Sequence, residues 1–279
     1  LICCTVSGAG AGSKQNRIPC ARHEKLADDP YEPRPVVPRP AGEKSLVALA
    51  IARDGDGASR AERVTACLHR ALRLLNDHSA GGPFPRPISR FVPDGSSVFI
   101  KPNVVLPLYS PCVVLPDLID ELARLCAGRV RTPETGQDEY APGRGAAKVR
   151  IGETSLSDFT SRQTLESTGF REFWEDGVPD GRVEVELLDE SQWRKVKQPD
   201  DSPAQDDGSA GPDTAPGCGG REPFKWLPKS LCDCDTYINV SKLKTHYITE
   251  VTLALKNSLG LVLDEDKWNE FISLIKKLC

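Results

Sequence analysis

The 279-residue chain contains no methionine, only four histidines, and few aromatic residues, 6% of the whole. It has no excess of positive charge: 36 basic residues face 40 acidic ones, for a net charge of −4. That balance gives no global attraction for nucleic acid or an anionic membrane, and no stripe of interleaved basic and aromatic residues replaces it. No stretch approaches the roughly 18 uninterrupted apolar residues that a spanning helix needs. The expectation is a soluble protein whose attraction for anions, if any, is local, with no nucleic-acid or membrane partner.

The ten cysteines are scattered, and neither a paired C-x-x-C zinc pattern nor a run of iron–sulfur spacing occurs. Cys232 and Cys234 form a C-x-C. A metal or redox pair would need further ligands, so two small residues at a strand entrance is the better reading. Because methionine is absent and "DKWNEFISLIKKLC" is helix-like up to Cys279, the chain reads as a fragment, truncated at its C-terminus. "LICCTVSGAGAGSKQNRIPCARHEKL" has basic residues and no acidic one before Glu24, as a targeting remnant would. Localisation is left open between cytoplasm and an organelle.

Residues 1–44, rich in Gly and Pro, read as a disordered leader, and 45–279 as a single α/β domain. "SLVALAIA" (45–52) suits a buried strand, and 58–77 places Val64, Cys67, Leu68, Ala71, Leu72 and Leu75 at helical spacing. A strand in "SSVFIKPNVV" should end at Lys101, because Pro102 cannot donate to a central ladder. "LPDLIDELARLCAG" follows as a helix with Pro116 in its first turn and Gly128 as its stop. Then come a strand "AKVRIGE", a helix within "SRQTLESTGFREFWED", a strand "RVEVELLDE", a flexible acidic insertion at 197–222, and a strand "DTYINVSK". This alternation predicts a mainly parallel, open, doubly wound Rossmann-like sheet with helices on both faces. In such sheets ligands sit beyond the carboxyl ends of the strands.

Those strand ends are chemically distinctive. In "INVSKLKTHYITEVTLALKNSLG" an extended segment puts Lys242, Lys244 and His246 on one side, with Leu243 and Thr245 on the other. A helix over 250–258 with Thr249 as N-cap would add unpaired N–H groups, completing an anion site. Lys256 would lie about two turns into it, and either binds the ligand or meets the helix dipole. "FIKPNVV" offers Lys101 and Asn103 on a common side; alone, Lys101 would be expected to reach for solvent at the rim. "RIGETS" offers Glu153, whose commoner role is an ion pair with a lysine and whose alternatives are base or metal ligand. His69 falls on the outside of its helix. Beside two lysines, His246 should tend to be neutral near pH 7 and serve as a base. A metal there would require Glu153 or Asp189 to converge on it. No G-x-S-x-G, P-loop or G-x-G-x-x-G after a strand is found.

The blocks "VFIKPNVV", "IGETS" and "YINVSKLKTHYITEVTLALKNSLGLV" resemble the domain of unknown function 362 family, in the same order, over about 46–263. The resemblance carries over Lys101, Pro102, Asn103, Gly152, Glu153, Lys242, Lys244, Thr245, His246, Lys256, Asn257 and Gly260. Ser241 departs from it, standing where relatives have proline, as does "SPCVVLP". Relatives often carry a ferredoxin module, but no such cysteine motif is present here, so an iron–sulfur cluster is not carried over; a divalent metal stays open. A distant likeness to the nickel-dependent lactate racemase fold is analogy only. The resemblance implies no reaction. The expected function is an enzyme acting on a small carboxylate or phosphate held by Lys101, Asn103, Lys242, Lys244, Thr245, Lys256 and Asn257, with His246 and Glu153 moving protons. The alternative is an anion-binding or interaction module without chemistry.

Overall fold

The structure is a computed structural model that describes residues 50, 59–77, 88–104, 113–131, 138–140, 144–155, 159–170, 181–197, 224–246, 250–252 and 254–262. The leader lies outside these residues, as do the insertion expected at 197–222, apart from Lys197, and the strand expected at 45–52, apart from Ala50.

Four strands form the central sheet: β1 (Ser97–Lys101), β4 (Lys148–Glu153), β5 (Val183–Leu187) and β8 (Thr236–Asn239), in the order β5-β4-β1-β8. All three pairings are parallel. The chain moves outward from β1 to β4 to β5 and then returns to the far side of β1, so the winding direction reverses between β1 and β8. The register at that reversal pairs Lys101 with Asn239. A sheet of this order opens a crevice at the carboxyl ends of the two strands flanking the reversal.

Alternation along the strands sorts two cores. Val98, Ile100, Val149, Ile151, Val183 and Leu187 are buried in one cluster with Val64 and Leu72 of helix α1 (Arg60–Asp77) and Leu118, Ile119, Leu122 and Leu125 of helix α2 (Pro116–Cys126). On the other face Phe99 packs with Leu188, Trp193 and Leu261. There the covering layer includes an antiparallel hairpin that the sequence reading did not anticipate, β6 (Trp193–Lys197) with β7 (Phe224–Pro228), followed by a short helix Lys229–Asp233. A second unanticipated hairpin, β2 (Arg129–Arg131) with β3 (Asp138–Tyr140), follows α2.

Helix boundaries follow local chemistry. Pro116 occupies the first turn of α2, where its missing N–H costs nothing, and Gly128 leaves the helix at φ 93°. A side chain on Gly128 would also strike the backbone around Arg144, so the position demands glycine twice over. Helix α3 (Ser161–Leu165) starts with a capping box between Thr160 and Gln163, then widens into a π-helical turn at Glu166–Phe170 that Gly169 ends.

Helices α1 and α2 are joined by a polar contact. His69, expected on the outside of α1, instead places Nε2 2.7 Å from Glu121 Oε1, and Arg129 Nη2 donates to Glu121 Oε2. Burial would push the Glu121 carboxyl up, but His69 and Arg129 together outweigh it and hold the group below its ordinary value of 4.5. A carboxylate with a lowered folded pKa stabilises the fold above its unfolded pKa, and that contribution disappears as pH falls through the folded value. Glu121→Gln should therefore cost roughly 2 kcal/mol at pH 7. Urea melts of both chains should show the gap closing at pH 3; an equal gap at both pH values would contradict the ionic origin.

Candidate functional site

The site begins with a lysine at the end of an apolar strand. Lys101 closes β1 and is 0% exposed, so its charge has not gone to solvent. Nζ donates to the Pro102 carbonyl (2.8 Å), to Glu153 Oε2 and to Asn257 Oδ1 (3.2 Å), which matches its three N–H groups. Glu153, 1% exposed at the end of β4, also accepts from the Val104 amide at 3.2 Å. The more ordinary expectation for Glu153, an ion pair with a lysine, is what the fold builds. An ion pair taken out of water this completely holds only if its remaining hydrogen-bonding capacity is also met.

Asn257 meets much of it. Its Oδ1 accepts from Lys101 and from Asn103 Nδ2 (2.8 Å), and its Nδ2 donates to Asn239 Oδ1 (2.8 Å) and to the Lys101 carbonyl (3.4 Å). Asn239 Nδ2 in turn donates to the Ala254 carbonyl at 2.8 Å and to Ser258 Oγ at 3.1 Å. One amide thus ties the ends of β1 and β8 to the one-turn helix Ala254–Asn257. Asn103 Oδ1 has no hydrogen-bond partner among the described residues, although Asn103 is 1% exposed.

Gly260, in the 3-10 turn Ser258–Leu261, brings bare backbone against this pair. A Cβ there would collide with Glu153 Oε1 and stand 2.8 Å from Lys101 Nζ. The Gly260 carbonyl accepts from Thr154 N at 3.1 Å and Thr154 Oγ1 at 2.7 Å, locking the turn to β4.

The segment between Asn239 and Gly260 differs from the sequence expectation. The helix expected over 250–258 is replaced by a hairpin, β9 (Lys244–His246) with β10 (Glu250–Thr252), and only one turn of α-helix follows. Thr249 lies outside the described residues. The β-branched run Val251–Thr252 can pair with Lys244–Thr245–His246, and that pairing wins over the apolar spacing read as helical. The helix-amino-terminus component of the anion argument goes with it.

The lysines divide accordingly. Lys242 is buried and donates to the Val113 carbonyl at 2.9 Å; the neighbouring Val114 amide donates to the Asn103 carbonyl at 3.0 Å. Lys244 and Lys256 are each half-buried. Burial first, and the positive charge of Lys244 second, push the Lys256 amine down to about 8. Thr245 is exposed in register with Val251. His246 pairs with Glu250 in the hairpin, and its side chain lies outside the described residues. Asp189 Oδ2 accepts from the Ser161 amide at 2.9 Å, at the start of α3. Among the described residues no three His, Cys, Asp or Glu side chains converge to hold a metal. Burial pushes the Cys232 thiol up to about 11, so it is protonated at neutral pH, unlike a metal-ligating thiolate.

Sequence reasoning missed Asn239 and Thr154. Asn239 carried the same signal as Lys101, a polar residue closing an apolar strand, and the two are register partners. Gly260→Ala should cost about 1–3 kcal/mol or more, because the methyl must displace a buried ion pair. Urea denaturation checks this, and a loss under about 0.5 kcal/mol, ordinary for a surface substitution, would contradict the packing described.

No curated protein and no solved structure matches the chain. The family model Domain of unknown function (DUF362) matches residues 98–271, from β1 through the pair-bearing strands to beyond the Gly260 turn. With more than half of its 279 residues covered by that match, the chain belongs to the DUF362 family.

Proposed function

We propose that the rim at the carboxyl ends of β1 and β8 binds a small carboxylate or phosphate, and that the protein is an enzyme acting on it. The observation carrying this reading is the concentration of lysine on this rim, where burial first and the charge of Lys244 second lower the Lys256 amine to about 8. Positive charge gathered on a strand-end rim attracts a guest of opposite sign. Lys101, Glu153, Asn103 and Asn257 form a hydrogen-bonded frame at the strand ends, Lys242 holds the Val113 carbonyl, and Thr245 follows Lys244 on the hairpin.

An amine with pKa about 8 is also partly neutral near physiological pH, a useful property for a group that must exchange protons. In this reading Lys256 shares that work with His246. Glu153, buried in its pair with Lys101, positions rather than reacts.

A second reading, an anion-binding module without chemistry, is favoured by that same burial of Glu153, which leaves fewer groups to move protons. Turnover of a bound ligand separates the two.

The test is a thermal-shift screen of the chain against carboxylates and phosphates, since a ligand at 100 times its Kd stabilises by about 2.7 kcal/mol. Lys244→Ala and Lys256→Ala should each abolish the shift of a hit. Affinity should be level below about pH 8 and fall as pH rises above it, because the unliganded Lys256 amine loses its proton there. A shift unchanged in both variants would refute the assignment.

A further inference from the structure

The sheet face that packs Phe99 also carries charge. Alternation in β5 puts Glu184 and Glu186 on that face, next to Arg150 of β4, with the registers Arg150↔Glu184 and Gly152↔Glu186. Gln192 and the helix Lys229–Asp233 stand over them, and the space between is a cavity of about 420 Å³ lined by Arg150, Glu184, Glu186, Gln192, Lys229, Ser230 and Asp233. That volume falls within the range of about 300–1,000 Å³ usual for ligand sites. No lining residue belongs to the Lys244–Lys256 rim.

The charges in this cavity divide into three sets. Glu184 is committed to Arg150 at 2.7 Å and Lys148 at 2.9 Å, and Asp233 to Arg194 at 2.6 Å. The third set is Glu186 and Lys229, and among the described residues neither forms an ion pair with the other or with any group. Glu186 Oε2 is buried, with no hydrogen bond among the described residues. Beside Lys229, Ser230 is 8% exposed, and its Oγ is likewise buried without a hydrogen-bond partner among the described residues. Glu186 and Lys229 thus line one cavity as opposite charges not paired within it, an arrangement that suits a guest carrying both complementary charges.

We propose that this cavity is a binding site for a small zwitterion of the free α-amino acid class. An ammonium group meets the Glu186 carboxylate, and a carboxylate meets Lys229. A guest with both charges completes the third pair without adding net charge, whereas a simple anion or a simple amine would leave Glu186 or Lys229 unmatched.

The experiment is isothermal titration of the 279-residue chain with free α-amino acids, each beside its N-acetyl and carboxamide derivatives. At least one free amino acid should bind, and either derivative should bind at least tenfold more weakly. Glu186→Gln and Lys229→Met should each weaken binding about tenfold, while Lys244→Ala leaves it unchanged, which separates this site from the rim. Failure of every amino acid to bind, equal binding of the blocked derivatives, or loss of binding in Lys244→Ala would each overturn the proposal. The derivative comparison uses the unaltered chain and stands even if a variant fails to fold.

Discussion

A lysine and a glutamate fully removed from water at the carboxyl edge of a parallel sheet set the terms for everything around them. In low dielectric each charge alone costs several kcal/mol, and their attraction offsets that better the more of the surrounding donors and acceptors are matched. The fold supplies several of them from separate parts of the chain: the Val104 amide, the Pro102 carbonyl and the Asn257 side chain. Asn257 in turn requires Asn239, and the turn that follows requires a glycine at 260 to let backbone approach. A single electrostatic constraint therefore fixes where the C-terminal turn docks, and through it where Lys256 sits relative to Lys244.

The position of this edge in the topology explains why chemistry gathers there. The chain passes to one face of the sheet after β1, through α2, and to the other after β8, where Leu261 packs on Phe99. The polar residues that close the two strands flanking the reversal, Lys101 and Asn239, are register partners, and Asn257 bonds to both.

Much of this was legible in the sequence because strand and helix periods differ. The runs "SVFIK", "KVRIGE", "VEVEL" and "TYIN" could be placed, and so could α1 and α2 with Pro116 and Gly128 as punctuation. The convergence of Lys101, Asn103, Glu153 and Asn257 was expected as a ligand pocket, but the structure builds them into a frame. Sequence shows which residues share a strand end, and it cannot show whether a lysine finds its counter-charge in a ligand or in another strand. The β9–β10 hairpin was illegible for a different reason. Its apolar residues satisfy a helical period over a short window, and only tertiary pairing decides. The same applies to the β6–β7 hairpin, whose strands are separated in sequence by the long acidic insertion.

The central claim is that Lys101 and Glu153 stabilise the rim as a coupled pair rather than as two independent polar residues. A double-mutant cycle with Lys101→Met and Glu153→Leu, followed by urea denaturation, measures that coupling directly. Each single change should cost about 3–5 kcal/mol, because it strands a buried charge, and the double variant should recover much of that loss. Additive losses in the double variant would contradict the account.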